Sequence, residues 1–540
     1  MKTTIAWRKL LALAALAPIA AAAAGLTSEA PEDGAARGSP TAGHSEMARR
    51  IDELLEAQWT AATVRPARQT TDGEFLRRAS LDFTGVIPRA SEVREFLADD
   101  RPDKRQRLVE RLLHSPRYAT HLATVWHNRI LPAGADPARA REALALQKWL
   151  RTRFASNLRY DNLVGGLLLA SGGEELGPAL YFQANDLAPE KVAGSAAELF
   201  LGVDLHCAQC HDHPYADWTQ RDFWGLAAFF ARVRSPGNQP MQSVYRLIDA
   251  NQGEVRLPDT EEVVGPKYPR GDAAVDEQRQ SRRMQLVSWM TSRDNRLFAR
   301  AGVNWAWSHL FGDGLVESLD EADGARGVDS AAIAVRAQLL DVLAQDFVRS
   351  GFDLQHLWRT LASTRAYQLS SQHADAQVAP PELFACMLPK PLTPEQLYDS
   401  FVMLAPPTAV ATPGSAAGGS LDEDPGRIEF VSRMRLPPGE ATEYRAGTLQ
   451  ALALMNGHVT AEVTAHDRSR LLGAMAAPFM NQDDQLESLF FATLSRPPDA
   501  EERELFGQAL ANAKSPEDRG RARSDILWAL VNSTEFAFNH

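Results

Sequence analysis

The chain has 540 residues, 44% hydrophobic and 8% aromatic, which is enough apolar material for two or three packed domains. Its formal net charge of −12 argues against nucleic acid or an anionic membrane surface as principal partner, since both demand a basic footprint. Only Cys207, Cys210 and Cys386 are cysteines, so no disulfide framework is expected to hold the fold, and Cys386 reads as a small buried hydrophobe.

Residues 1–24 read as a secretory signal. Lys2, Arg8 and Lys9 form a positive start, Leu10 to Ala17 an apolar centre, and Ala22-Ala23-Ala24 a small-residue cleavage site. The uncharged run from Leu10 to Gly25 is shorter than the roughly 20 residues a bilayer span needs, and Pro18 interrupts it. The expectation is therefore an exported protein, periplasmic or associated with the cell envelope, with no integral membrane segment after signal removal. Residues 25–45 are rich in Pro, Gly, Ser and Ala and read as a flexible linker.

Residues 46–235 carry apolar side chains mostly at helical spacing, as in "KRQRLVERLLHSPRYATHLATVWHNRIL", and read as a helical domain. Within residues 236–270, the stretch "QSVYRLIDANQGEVRL" predicts a β-hairpin around an Asn-Gln-Gly turn. Helical pattern resumes and fills a second domain, 271–540, interrupted by a low-complexity loop at about 405–426 that is expected to be disordered. Near the end, "DDQLESLFFATLSRPPDAEERELFGQAL" predicts one helix stopping before Pro497-Pro498 and another starting at Asp499. The fold class expected is mainly α: two associated helical domains with a small β-hairpin insertion between them.

The chemistry concentrates in "LHCAQCHDHPYADW". Cys207-Ala208-Gln209-Cys210-His211 has the C-x-x-C-H spacing of c-type haem attachment. Two thiols on one turn can each form a thioether with a haem vinyl group, and the following histidine can ligate the iron. The same stretch holds a rival set, His206, Cys207, Cys210 and His213, with enough soft and borderline ligands for zinc or non-haem iron, although the His/Cys order does not separate into two ligand pairs. A disulfide or free thiols is the plain alternative. Upstream, Asp186 is expected to cap a helix that runs through Val192 and Leu199 to the cysteines. Downstream, Thr219-x-x-Asp222 resembles a capping box, and Phe223 and Phe230 could wall a haem or simply pack in the core. The intervening polar stretch has little apolar surface of its own to anchor it. Asp212 and Asp217 are candidates for orienting an imidazole or for plain turn formation. Candidates for a sixth iron ligand include His121, His127, His309, His458 and Met241.

The segment "FLGVDLHCAQCHDHPYADWTQRDFWGLAAFF" resembles the central motif of exported, planctomycete-type cytochrome c-like proteins built from domain-of-unknown-function families 1549 and 1553. "FLRRASLDFTGVIPRASEVREFL" and "RLVERLLHSPRYATHLATVW" are similar to the first family. "DNRLFARAGVNWAWSHLFGDGLVE", "LTPEQLYDSF" and "LESLFFATLSRPPDAEE" are similar to the second. The resemblance implies a cytochrome-like protein and no established reaction. Two departures stand out: many relatives carry a separate cytochrome c domain near the N-terminus with its own C-x-x-C-H, whereas residues 26–45 here hold no cysteine, so at most one haem of this type is expected, and Asn304-Trp305 stands where the family usually has Asn-Arg. The resulting expectation is one covalent haem c on Cys207 and Cys210, with His211 as axial ligand, in an electron-transfer or redox subunit serving a redox partner protein. The alternatives are a periplasmic enzyme or polysaccharide-associated protein with a non-haem metal at the cluster, and a structural interaction scaffold.

Overall fold

Thr71 shows how local chemistry sets a helix start. Its Oγ1 accepts the Glu74 N–H at 3.2 Å, Asp72 and Glu74 place negative charge in the first turn, and Gly85, at φ 71°, closes the helix Asp72–Thr84. Side chains of Ser115, Asn295 and Asp353 cap Pro116–Ile130, Arg296–Phe311 and Leu354–Ala362 in the same way. Asp499 and Ser515 form capping boxes with Glu502 and Asp518. Helix Gln482–Leu494 stops before Pro497-Pro498 and the next, Ala500–Asn512, begins just after its Asp499 cap, as expected.

The computed structural model describes residues 40–131, 140–172, 176–214, 216–236, 246–271, 280–319, 330–372, 380–404, 424–434 and 448–540. The leader-like segment and most of the low-complexity stretch lie outside these. Helix Pro40–Ala61 begins within the sequence read as a linker, and helix Pro425–Met434 begins within the stretch read as a disordered loop. The chain divides after Ala42 into two units. The second, Gly43–His540, is mainly helical, with small two-stranded antiparallel sheets. No helix among the described residues is long and apolar enough to cross a membrane.

The expected hairpin is corrected. Both strands exist, but Ile248–Asp249 pairs with Val233–Arg234 and Val255–Arg256 pairs with Val263–Val264, so neither pairs with the other. Two arginines at the start of helix Arg282–Met290 account for this. Arg283 holds Asp249 at 2.8 Å while Arg282 holds Glu254 at 3.0 Å and the Ala228 carbonyl at 3.1 Å. The segment is thereby laid along the helical body instead of closing on itself.

Two hydrophobic cores result. The larger runs from Met47 to Met387 and takes in Phe491; the smaller is assembled from residues between Leu392 and Phe536 together with Leu81 and Ile87. Trp305 belongs to the larger core, edge-on to Trp126 at 4.8 Å and to Trp358 at 5.6 Å, with the Arg129 guanidinium 5.5 Å from its ring. Asn304 beside it clamps Val316 through both backbone groups, at 2.8 and 3.1 Å.

Helix Asp72–Thr84 feeds both cores, and its polar residues join distant parts of the chain. Arg77, fully buried, donates to the carbonyls of Thr493 at 2.7 Å and Phe536 at 2.8 Å. Arg78, also buried, donates to the Leu369 carbonyl at 2.8 Å and to Glu74 at 3.1 Å. Burial pulls the Arg77 guanidinium down to about 10, which leaves it charged at neutral pH. Replacing Arg77 by Met should strand the Thr493 and Phe536 carbonyls without a donor and cost about 3 kcal/mol or more. In urea unfolding the Arg77→Met midpoint should fall well below wild type, whereas Arg107→Met, on an exposed pair with Asp103, should leave it nearly unchanged.

Candidate functional site

The approach to the cysteines differs from the expected continuous helix. Helix Pro189–Ala196 starts after Ala188 with Pro189 in its first position, and no side chain caps it. Asp186 adopts φ 55° and its carboxylate pairs with Lys191 at 2.6 Å, so it is not the cap. The helix widens into a π turn, Ala197–Leu201, which Gly202 ends at φ 68°. A Cβ on Gly202 would come within 2.8 Å of Leu319 Cδ1, so both backbone angle and space require glycine here. Val203 and Leu205 are buried while Asp204 and His206 between and after them are exposed, which pins the chain as it leaves the core.

Cys207–Gln209 then forms a single 3₁₀ turn. The Cys207 carbonyl accepts the N–H groups of Cys210 and His211, both at 3.3 Å. Ala208 is fully buried beneath the turn, and Cys207 and Cys210 stand exposed as free thiols. The next helix, Gln220–Ala228, holds the turn from below. Gln220 Nε2 donates to the Cys210 carbonyl at 3.0 Å, and Trp224 Nε1 donates to the Gln209 carbonyl at 3.0 Å. The Thr219–Asp222 capping box that starts this helix is present as predicted. Trp218 is buried, with the Arg270 guanidinium 4.5 Å above its ring.

The turn therefore has its own anchors, contrary to the expectation of an unsupported polar stretch. Hydrogen bonds from Gln220 and Trp224, with Leu205, Ala208 and Trp218 as apolar plugs, hold it in place. Phe223 and Phe230 are 1% exposed and packed inward, Phe230 edge-on to Phe182, so they are core residues and not an open wall beside the thiols.

The histidines differ in what their nitrogens face. His211 Nδ1 lies 2.8 Å from the Asp212 carbonyl, which can only accept, so Nδ1 carries the proton and Nε2 a lone pair. His206 Nδ1 donates to Asp204 Oδ1 at 2.7 Å, and its ring lies over Gly194. His213 Nδ1 accepts the Ala216 N–H at 3.0 Å, which puts the proton of its neutral ring on Nε2 and leaves no lone pair there for a metal. Asp212 serves the fold as well, its carboxylate accepting the Gln220 N–H at 2.7 Å. Burial raises the Asp204 carboxyl, but the backbone and ring bonds from His206 outweigh this and hold it below its usual range. Among the described residues no group of three or more His, Cys, Asp or Glu side chains is gathered as a metal site. The two exposed thiols and the Nε2 lone pair of His211 are the atoms that thioether attachment and axial ligation would use.

The other sequence candidates lie in different surroundings. Met241 is outside the described residues. His458 is exposed, 3.8 Å from Glu462. His127 Nδ1 lies 3.3 Å from Asn128 Oδ1. Cys386 is half-buried, its thiol donating to the Ser370 carbonyl at 3.3 Å. His121 and His309 face each other at 5.7 Å beside Asp82, in a cluster that no sequence pattern singles out. His309 Nε2 donates to the Asp82 carbonyl at 3.0 Å. The Asp82 carboxylate accepts from Lys390 at 2.6 Å, Asn539 at 2.7 Å and Tyr367 at 2.8 Å. Nothing in a single sequence pairs residues 82, 121, 309, 367, 390 and 539.

Burial pushes the His121 imidazole down to about 3 and lowers His309 as well. Between the ordinary value of 6.5 and about 3 the unfolded chain therefore binds protons that folded His121 refuses, and stability is lost as pH falls through that window. Replacing His121 by Gln removes this contribution. The drop in urea midpoint on acidification from neutral pH into that window should be smaller in His121→Gln than in wild type, and equal drops would mean that His121 is not held neutral.

Residues 50–235 match the family model PSCyt2, described as a protein of unknown function (DUF1549), and residues 282–417 match PSD1, a protein of unknown function (DUF1553). No curated protein and no solved structure matches the chain. The Cys207–His211 turn lies within the first matched region, and His309 and Lys390 lie within the second.

Proposed function

We propose that the protein is an exported c-type cytochrome-like subunit in which Cys207 and Cys210 hold one haem covalently, His211 Nε2 ligates its iron, and an electron passes to a partner protein. The observation that carries this reading is the 3₁₀ turn itself: two free, exposed thiols three residues apart, followed by an imidazole whose Nδ1 is tied to a carbonyl so that Nε2 is the ligating nitrogen. Bound haem would supply one-electron redox chemistry. The chain's own residues support and orient it: Gln220 and Trp224 fix the carbonyls of the turn, and Asp212 fixes the imidazole tautomer. Exposure of the thiols suits electron exchange at a protein surface more than chemistry in a closed cavity. Export rests on the leader-like first 24 residues.

Protein made in cells with a working cytochrome c maturation system should keep peroxidase staining through denaturing electrophoresis, and Cys207→Ser/Cys210→Ser should lose it. His211→Ala should retain attached haem with an altered Soret band, because attachment and ligation use different atoms. The double serine variant should still unfold cooperatively, since the turn is anchored by protein groups. Elemental analysis that finds zinc or iron with no added porphyrin mass would defeat the haem reading and favour a metal site.

A further inference from the structure

A cavity of about 180 Å³ is lined by residues of four helices, Asp72–Thr84, Ala90–Leu97, Lys104–Leu113 and Pro116–Ile130. It is smaller than the roughly 300 Å³ and upward that drug-sized ligands fill, so it suits one small group. Its lining charges are Arg89, Arg111 and Arg117 against a single carboxylate, Glu92. The chain as a whole has a net charge of −12, so this is a local surplus of the opposite sign, which focuses an attractive field on anions.

Other arginines on these helices have carboxylate partners: Arg78 pairs with Glu74 at 3.1 Å, Arg105 with Asp72 at 2.9 Å and Arg107 with Asp103 at 2.7 Å. Among the described residues, Arg89, Arg111 and Arg117 make no ion pair. Glu92 is committed elsewhere, its Oε2 accepting the Arg89 backbone N–H at 2.8 Å at the start of Ala90–Leu97. Asp399, the other carboxylate acting on Arg117, is held through both oxygens by Arg427, at 2.8 and 3.0 Å. Burial pulls the Arg117 guanidinium below its usual range, and Arg89 adds to this while Asp399 and Glu92 oppose it. Arg117 is half-buried at the second position of Pro116–Ile130, near the positive end of the helix, where a cation is unfavourable unless an anion accompanies it.

Ser80 adds a neutral donor. The residue is 3% exposed, yet its hydroxyl makes no hydrogen bond among the described residues and is not one of the sealed polar atoms of the interior, so the surface that Ser80 keeps includes Oγ, at the cavity. With Arg89 and Arg111 exposed and Arg117 half-buried, each donor keeps surface that a ligand can reach. Donors arriving from separate helices suit a ligand with more than two acceptor oxygens. A carboxylate offers two in one plane, which a single guanidinium fork can occupy, whereas phosphate and sulfate spread their oxygens in several directions. The surplus of cations over Glu92 also matches a doubly charged ion.

We propose that this cavity binds a doubly charged tetrahedral oxyanion, phosphate (free or as a monoester) or inorganic sulfate, with Ser80 Oγ and the Arg117 guanidinium as inner donors and Arg89 and Arg111 at the rim. The site is independent of the cysteine turn.

Isothermal titration calorimetry on the full chain, at low ionic strength in a buffer free of phosphate and sulfate, tests this with inorganic phosphate, glucose 6-phosphate, sulfate and acetate. At least one of the first three should bind, more tightly than acetate, and added sodium chloride should weaken it. Tighter binding of glucose 6-phosphate than of inorganic phosphate identifies the ligand as a monoester, and the reverse order or equality identifies the free ion. Arg117→Gln should weaken affinity about tenfold or more, the worth of one charged hydrogen bond. Ser80→Ala should weaken it several-fold, and Arg89→Gln/Arg111→Gln about tenfold. Arg107→Gln, one turn earlier than Arg111 on the same helix, should leave it unchanged. No binding of any of the three dianions, acetate binding as tightly as they do, or an affinity that survives both Arg117→Gln and Arg89→Gln/Arg111→Gln would overturn the proposal. Near-ultraviolet circular dichroism establishes that each variant is folded, and the double variant, on exposed side chains, decides the matter if Arg117→Gln is not.

Discussion

Burial of charge on one helix organises this molecule. Arg77, Arg78 and Asp82 all lie on Asp72–Thr84 and are 3% exposed or less. A buried ion is tolerable only when fixed polar groups surround it. Those groups come from far along the chain: carbonyls at Leu369, Thr493 and Phe536, the Lys390 ammonium, the Tyr367 hydroxyl and the Asn539 amide. The requirement explains why the end of the chain returns to its first third, and why the smaller core includes Leu81 and Ile87.

The cysteine turn and the Asp82 cluster draw on opposite physics. At the cysteine turn the backbone is satisfied by Gln220 and Trp224 and the reactive atoms face outward, so the protein supplies a stable platform and leaves the thiols available. At the Asp82 cluster the charges are paired internally, and burial keeps the His121 imidazole uncharged at neutral pH. They also sit differently in the homology regions: the turn lies within the first alone, while the Asp82 cluster joins residues of both.

Trp305 shows how aromatic packing ties helices together in the larger core. An aromatic ring there joins Trp126 and Trp358 in the larger core, and the Arg129 guanidinium lies against both Trp126 and Trp305. That guanidinium comes from a different helix, Pro116–Ile130.

Helical character, the caps at Thr219 and Asp499, the break at Pro497-Pro498 and the thiol–thiol–imidazole spacing were all legible in the sequence, because each depends on residues within a few positions of one another. Where sequence reading went astray, a distant group had intervened. The strands at 248–249 and 255–256 were recognised, but Arg282 and Arg283 decided their partners. For Phe223 and Phe230 the apolar spacing left a ligand wall and plain core packing both open, and packing with residues such as Phe182 places them in the core. Asp186 had the composition of a cap, and its backbone conformation sent it to Lys191 instead. The Asp82 cluster was out of reach altogether, since its members span residues 82 to 539 and carry no local pattern. Short-range hydrogen bonding and periodicity leave a trace in neighbouring letters, whereas the pairing of a buried charge is satisfied by whichever groups the fold brings within 3 Å, and that choice is made only in three dimensions.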